Sequence, residues 1–381
     1  MFYLNIRHIL ERARLYFSRK EIVFRTVQVG VGRYNYGTFY RKVCKLANAL
    51  RNDLNINEGD KVASFGWNTH RRLELHFAVP CIGSILHTVN IRFSPDEVVY
   101  TVNHAEDKVM FLDVDLLPII ENIADRLKTV ESFVVMDSIS STKLRNVYVY
   151  EDLINGGSAS FSFPDVNENL PAVMCYATGT TGKPKGVMYT HRGIFLRSMA
   201  TCLADAYALS ERDVVMHVVP MYHISGWLMP YAATLVGSKQ VLPGARIRPE
   251  ILYELIKNEK VTVSDGVPTI WIDFLNYVKN SGCMEDIMSL KRLIVGGAAP
   301  PKALIKAFKE EFGVEVVHAW GMTETYDSAI AYRLKSYLEN LSEDDKYNIM
   351  AKQGLPFPGI EINALDERGK PIAWNGKEQG N

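Results

Sequence analysis

Between Gly59 and Met136, four short apolar runs, Lys61 to Phe65, Leu86 to Val89, Val109 to Leu112 and Ser132 to Met136, alternate with stretches of helical spacing. Strands this apolar are usually covered on both faces, so they predict a mainly parallel sheet layered with helices. The intervening helices carry their own signals. Arg71 to Ile85 places Leu73, Phe77, Val79 and Ile82 at core positions, and Leu117 to Leu127 reads as a further helix. Ser94-Pro95-Asp96-Glu97 has the N-cap serine, first-turn proline and early acids of a helix start. Ahead of this unit, Ile22 to Tyr36 is β-like and Thr38 is placed to cap a helix through Leu50. The polar stretch Asn155 to Asn169 marks a subdomain boundary. A second alternation then runs from a helix capped by Thr190 to a last helix at Pro301 to Phe312. From Gly354 to Asn381 strands and turns take over, with Asp366-Glu367-Arg368-Gly369 as a hairpin signal. The expected fold is α/β, with two doubly wound, mainly parallel sheets in approximate subdomains 1–170 and 171–353. An incomplete β-subdomain is expected over 354–381.

Tyr176 to Gly186, Y-A-T-G-T-T-G-K-P-K-G, holds three glycines, three threonines and two lysines and has little apolar surface to bury. Glycines let backbone N–H groups approach an anion closely, while the hydroxyls and lysines add donors and charge. Thr178, Gly179, Thr180, Thr181, Gly182, Lys183, Lys185 and Gly186 are therefore read as a polyphosphate cradle. A Walker A loop needs four residues between its glycines and a Ser or Thr after the lysine. Here two residues separate Gly179 from Gly182, and Pro184 follows Lys183. The flanks, Ala172 to Tyr176 and Val187 to Thr190, read as strands, which makes the loop a hairpin tip.

Composition narrows the partners. Of 381 residues 47% are apolar and 23% charged, enough for a sizeable core in two or more subdomains. Lys plus Arg equals Asp plus Glu, 43 each, so no net field recruits nucleic acid or an anionic membrane. Cys44, Cys81, Cys175, Cys202 and Cys283 are widely spaced and form no C-x-x-C pair, which points to a reducing, cytoplasmic setting without disulfides or zinc. Arg7, Glu11, Arg12 and Arg14 interrupt the N-terminal apolar residues, so Met1 to Phe17 reads as an amphipathic helix packed on the domain and not as a membrane span.

Three further segments stand at strand ends, where α/β folds place their sites. Met221 to Trp227, M-Y-H-I-S-G-W, precedes a helix; taken alone, its His and Trp are better read as an aromatic core cluster. Gly296-Gly297-Ala298-Ala299-Pro300 leaves backbone exposed for a flat ring, and is equally a plain strand-to-helix turn. His318-Ala319-Trp320-Gly321-Met322-Thr323-Glu324-Thr325 combines a glycine turn, two hydroxyls and a carboxylate, and is otherwise a solvated turn.

The Tyr176 to Gly186 stretch resembles the signature loop of the adenylate-forming ligases, the superfamily of acyl-CoA synthetases, luciferases and peptide-synthetase adenylation domains. The resemblance covers the whole chain. Gly59 to Val62, Leu86 to Asn90, Asn103 to Asp107, Tyr231 to Leu235, Val267-Pro268-Thr269 and Gly354-Leu355-Pro356 look like fatty-acyl-CoA synthetase segments in the same order. It implies ATP, Mg²⁺ and CoA, activation of a medium- or long-chain fatty acid to acyl-AMP and then acyl-CoA, and a homodimer as the candidate assembly. By the same resemblance His223 lies beside the substrate carboxylate and Trp227 gates the acyl pocket with Gly266 and Val267. Gly297, Ala298, Ala299, His318, Ala319, Trp320 and Gly321 hold the adenine and AMP, Thr323 touches the phosphate, and Glu324 holds the metal.

Three positions depart from the family pattern. Ala177 replaces a frequent Ser or Thr, Asp265 stands where a small neutral residue is expected, and Tyr326-Asp327 replaces Ser-Pro. An Asp at 265, if buried, must reach water, pair with a base or titrate. The family continues with a T-G-D segment, a hinge and a small C-terminal domain carrying the adenylation lysine, so the chain is expected to be the large domain alone. The competing readings are a non-catalytic nucleotide- and acyl-binding module and an adenylating enzyme for another carboxylic acid.

Overall fold

The computed structural model describes residues 2–27, 29–177, 182–245, 247–282 and 284–373. These form two sheets with twelve α-helices around them. The seven-stranded sheet runs, edge to edge, Val147–Val149, Ser132–Val135, Asp107–Leu112, Lys61–Phe65, Ile85–Thr88, Pro171–Ala177 and Lys185–Thr190. Only its last pairing is antiparallel. The apolar runs sit where burial on both faces requires them: Val62 pairs with Leu86 on one side and Val109 on the other, and all three are buried. The Ser94 motif forms a complete capping box over Pro95–Ala105. Thr190 caps His191–Thr201 through a bond from the Gly193 N–H at 3.1 Å. Asn35, not Thr38, caps the helix Tyr36–Asn52, because its side chain accepts from the Thr38 N–H.

The nine-stranded sheet runs Leu355–Pro356, Asp327–Ala331, Glu315–Met322, Arg292–Val295, Val263–Gly266, Val214–Met216, Lys239–Leu242, Glu21–Thr26 and Gly30–Asn35. Its centre is parallel and both flanks are antiparallel. A division near residue 170 therefore does not separate the sheets. The hairpin from Glu21 to Asn35 joins the second sheet through Ile22 opposite Gln240, and the hairpin Pro171–Ala177 with Lys185–Thr190 closes the first. The pairing of Ile22 with Gln240 joins segments far apart in the chain and has no local signal. Among the described residues after Gly354, pairing is limited to Leu355–Pro356 and a bridge from Leu365 to Pro371 around the Asp366 turn.

The helix His70–Cys81 is buried along its whole length and shares a core with both sheets, including Val62, Leu86, Ile22, Leu242 and Trp227. Two of its buried charged groups have partners within the protein. Glu74 accepts from the Tyr34 hydroxyl at 2.9 Å and the Tyr150 hydroxyl at 2.5 Å, and the Arg72 guanidinium donates to the Gly66 carbonyl. Asn68, just before this helix, ties the sheets together. Its Nδ2 donates to the His217 and Val219 carbonyls, each at 2.8 Å, and its Oδ1 accepts from the Met221 N–H at 2.8 Å. The loop carrying Tyr222 and His223 is thereby fixed to the first sheet.

Candidate active site

A cavity of about 410 Å³ opens between the sheets, beyond the carboxyl ends of Pro171–Ala177, Val263–Gly266 and Arg292–Val295. Its lining includes Tyr176, Ala177, Gly296, Gly297, Gly321, Met322 and Thr323, with His223, the residue before the helix Ile224–Val236. Val219, Met229, Gly266, Val267, Ile294 and Ala319 supply an apolar frame, with Tyr207, Asp265, Asp327 and Ser328 among them.

Ala177 pairs with Lys185 and Tyr176 with Gly186, so the hairpin expected around the phosphate loop is formed by its flanks. Thr178, Gly179, Thr180 and Thr181 lie outside the described residues. Gly182 has φ +147°, and Lys183, Lys185 and Gly186 are exposed. The Lys183 ammonium stands 4.8 Å over the Tyr100 ring, a cation–π contact.

Thr323, Glu324 and Thr325 form one 3₁₀ turn. Thr325 Oγ1 closes it by accepting from the Met322 N–H at 2.8 Å and donating to the Asp327 carbonyl at 2.8 Å. Tyr189 buttresses the turn, its hydroxyl donating to the Thr323 carbonyl at 2.6 Å. Glu324 is exposed. Burial first, then Tyr189 lowering it and Glu324 raising it, leaves the Cys175 thiol pushed up to about 12, so it stays protonated. Gly321 is required sterically: a Cβ there would meet the Asp327 carbonyl oxygen at 1.9 Å, beside the register shift between Trp320 and Gly321.

His223 is exposed at the cavity and packs on the Tyr222 ring at 4.5 Å. Desolvation within the cleft, then the charges of Arg92 and Arg72, lower its imidazole to about 4. It is a neutral hydrogen-bonding ring at ordinary pH.

The remaining expected site residues are placed as follows. Gly297, at φ +77°, lines the cavity, and Ala298 and Ala299 are exposed beyond it. Ala319 faces the cavity, whereas His318 is turned to the other side of the strand, its Nδ1 3.1 Å from the Ala351 carbonyl and 3.0 Å from that of Lys352. Trp320 is 39% exposed and outside the lining. Trp227 is fully buried, between His76 at 6.0 Å and Tyr189 at 5.1 Å, and does not line the cavity either.

All three departures reach the cavity, through Ala177, Asp265 and Asp327. Asp265 is 4% exposed. Its Oδ1 accepts from the Val218 N–H at 2.7 Å and the Val219 N–H at 3.1 Å, while Oδ2 is buried without a partner. Burial raises the carboxyl to about 7 against the pull of those two N–H groups, and Asp327 adds to the rise. Tyr326 and Asp327 both have left-handed φ, +55° and +75°. The Tyr326 ring fills the space over Gly193, where a Cβ would meet it at 2.3 Å, and its hydroxyl accepts from the Thr190 N–H at 3.1 Å. Asp327 is thus presented to the cavity. Arg197 is committed behind it, donating to the Tyr326 and Ser328 carbonyls and lying 3.6 Å from the Phe357 ring centre. Sequence reading missed Tyr207, whose hydroxyl donates to Ser328 Oγ at 2.6 Å, and Asn68, neither of which has a local motif.

Among the described residues no three His, Cys, Asp or Glu side chains converge as a metal centre. Glu324 is exposed next to the cavity-lining Thr323 and is not itself part of the lining; a lone carboxylate of this kind fits a hard cation completed by phosphate oxygens and waters, and does not fit an all-protein site. Among the described residues no helix is long and apolar enough to cross a membrane.

Residues 11–381 match the family described as AMP-binding enzyme. The chain is 45% identical to a long-chain-fatty-acid–CoA ligase of Thermus thermophilus, over 99% of this chain and 68% of that protein. It is 35% identical to a 3-methylmercaptopropionyl-CoA ligase of Ruegeria pomeroyi, over 99% of this chain and 70% of that one. In fold it superposes on an anthranilate CoA ligase in complex with anthranoyl-AMP with a TM-score of 0.85 at 23% identity, covering 98% of this chain and 68% of that one. Matched along almost all of its length, the chain belongs to the AMP-binding enzyme family.

Proposed function

We propose that the cavity binds ATP and a carboxylic acid together and joins them as an acyl-adenylate, from which CoA takes the acyl group. A medium- or long-chain fatty acid is the class proposed, in keeping with the Thermus relative's name; the Ruegeria relative's name shows that nearby sequences act on other acids. The observation that carries the reading is continuity. One cavity is lined by Ala177 of the hairpin, Thr323 and His223 together with the apolar Val219, Met229 and Ile294.

In the first step a carboxylate oxygen attacks the α-phosphorus and pyrophosphate leaves; in the second the CoA thiolate attacks the acyl carbon and AMP leaves. The protein's part is alignment and charge stabilisation. The hairpin, with Thr178 to Thr181, Gly182, Lys183, Lys185 and Gly186, takes the phosphates. Gly297, Ala298, Ala299 and the Ala319 to Gly321 segment form the adenine platform, which His318 braces from behind through its bonds to residues 351 and 352. The Thr323 hydroxyl serves the α-phosphate. Neutral His223 donates to the carboxylate or its adenylate without adding a competing charge. Mg²⁺, placed by Glu324, neutralises phosphate charge when bound. Trp227 stands behind the acyl wall, where a change of rotamer would lengthen the pocket. A homodimer and a cytoplasmic location, the latter resting on free Cys44, Cys81, Cys175 and Cys202, belong to the same proposal.

The test is calorimetric binding of Mg·ATP and of a non-hydrolysable acyl-sulfamoyl-adenosine, followed by ATP–pyrophosphate exchange with a fatty-acid series. Binding plus exchange supports the enzyme. Binding without exchange for any acid favours the non-catalytic module, and no binding of either probe overturns the reading.

A further inference from the structure

We propose that His104 is a positioning residue for ATP: it holds Tyr176, and through Tyr176 the hairpin that carries Lys183, Lys185 and Gly186. The inference rests on the reading that this hairpin takes the phosphates. His104 stands near the end of the helix Pro95–Ala105, is exposed, and lies outside the cavity lining, so it acts through a neighbour. That neighbour is Tyr176, which is 6% exposed, lines the cavity and belongs to the hairpin's first strand. The Tyr176 hydroxyl is 2.7 Å from His104 Nδ1, a hydrogen bond in either imidazole tautomer, and the two rings meet edge to face with centres 5.8 Å apart. Burial first, then the charge of Asp107, raises the Tyr176 phenol, so the hydroxyl keeps its proton.

The Tyr176 ring is held on two further sides. It packs on His87 at 5.1 Å, and the buried His87 is itself fixed by a 2.5 Å bond between its Nδ1 and the buried Asp107 carboxylate. Across the hairpin Tyr176 pairs with Gly186, where a Cβ would meet Tyr176 Cζ at 3.2 Å, so the glycine lets the ring lie over the returning strand. One turn before His104 on the same helix face, Tyr100 receives the Lys183 ammonium, and the Tyr100 and His104 rings stand 5.3 Å apart. Two residues four apart thus grip both sides of the hairpin. An exposed cation–π contact is weak enough for a phosphate to draw the ammonium off Tyr100, which leaves the His104 bond as the anchor that remains. Groups held in place before the ligand arrives need not be ordered when it binds, so a lost anchor shows as lost affinity.

The experiment measures, by calorimetry on the full chain, binding of Mg·ATP and of an acyl-sulfamoyl-adenosine, which lacks the β- and γ-phosphates, with thermal unfolding alongside. His104→Phe keeps a ring and loses the nitrogen; it is expected to weaken Mg·ATP binding about three- to tenfold and to leave the acyl-sulfamoyl-adenosine affinity and the unfolding midpoint unchanged. Tyr176→Phe, which keeps the ring against His87 and Gly186, should match it, and the double variant should lose no more than either single one. His104→Asn, whose amide returns a polar group near the position of Nδ1, should recover the affinity. Undiminished Mg·ATP affinity in His104→Phe, an equal loss for both ligands, or losses that add in the double variant would overturn the inference while leaving the acyl-adenylate site standing. Failure of both ligands to bind the unsubstituted chain would overturn both.

Discussion

Asp265→Asn should make the protein more stable above pH 7 and leave it nearly unchanged at pH 4. In the unfolded chain this carboxyl loses its proton near 3.8, whereas in the fold burial holds it to about 7. Between those values the folded state binds more protons than the unfolded one, so stability falls as pH rises through the window, and the loss is complete above 7. At about 1.4 kcal/mol per pH unit, ionised Asp265 costs the native state about 4 kcal/mol. Asparagine is nearly isosteric, cannot ionise, and retains an oxygen for the Val218 and Val219 N–H groups. The amide NH₂ then occupies the Oδ2 position and costs about 1–3 kcal/mol if it finds no acceptor. The protonated acid, with its own unpartnered O–H, bears a similar cost, so the difference at pH 8 stays near 2–4 kcal/mol. Asp113, also held to about 7 by burial, adds a slope of the same sign that both proteins share. The assay is urea unfolding of both proteins by tryptophan fluorescence at intervals from pH 4 to 8. Parallel stability profiles would show that Asp265 does not titrate as a desolvated acid, and the structural reading of its unpartnered oxygen would fall.

Gly321→Ala should destabilise the fold by about 3 kcal/mol or more, since its Cβ would overlap the Asp327 carbonyl oxygen; the midpoint of thermal unfolding reads this, and an unshifted midpoint would refute the close approach. Lys183→Ala should weaken ATP binding by about 1.5–3 kcal/mol with no change in unfolding, because the side chain is exposed and packs over Tyr100. Calorimetry with ATP decides it. The His223 ring should titrate near 4 by NMR, so ligand binding should show no inflection from this residue between pH 5.5 and 8; a midpoint near 6.5 would contradict its desolvation. Glu324→Gln should raise the Mg²⁺ concentration needed for ATP binding, and an unchanged Mg²⁺ titration would remove Glu324 from that role.

Features bonded within a few residues were legible in the sequence. The Ser94 capping box, the Thr190 cap and the strands flanking the phosphate loop all depend on near neighbours, and each formed as its residues implied. The segments singled out at His223, Gly297 and Thr323 met at one cavity, since strand ends of a parallel sheet share one edge, and Ala177 reaches it from the other sheet. Contacts between distant segments left no such trace. Periodicity marks Glu21–Thr26 as a strand but cannot say that its partner is Lys239–Leu242. Alternation along Glu315–Met322 puts His318 and Ala319 on opposite sides, yet which side is the cavity depends on the neighbouring strands. Asp265 and Asp327 were visible as anomalies. Their surroundings came from packing: two N–H groups from the Val218–Val219 backbone bond Asp265, while Tyr326 seated on Gly193 and Arg197 bonded to the Tyr326 carbonyl place Asp327, and both acids line one cavity. A buried carboxylate is defined by what surrounds it, and those surroundings come from segments far apart in the chain.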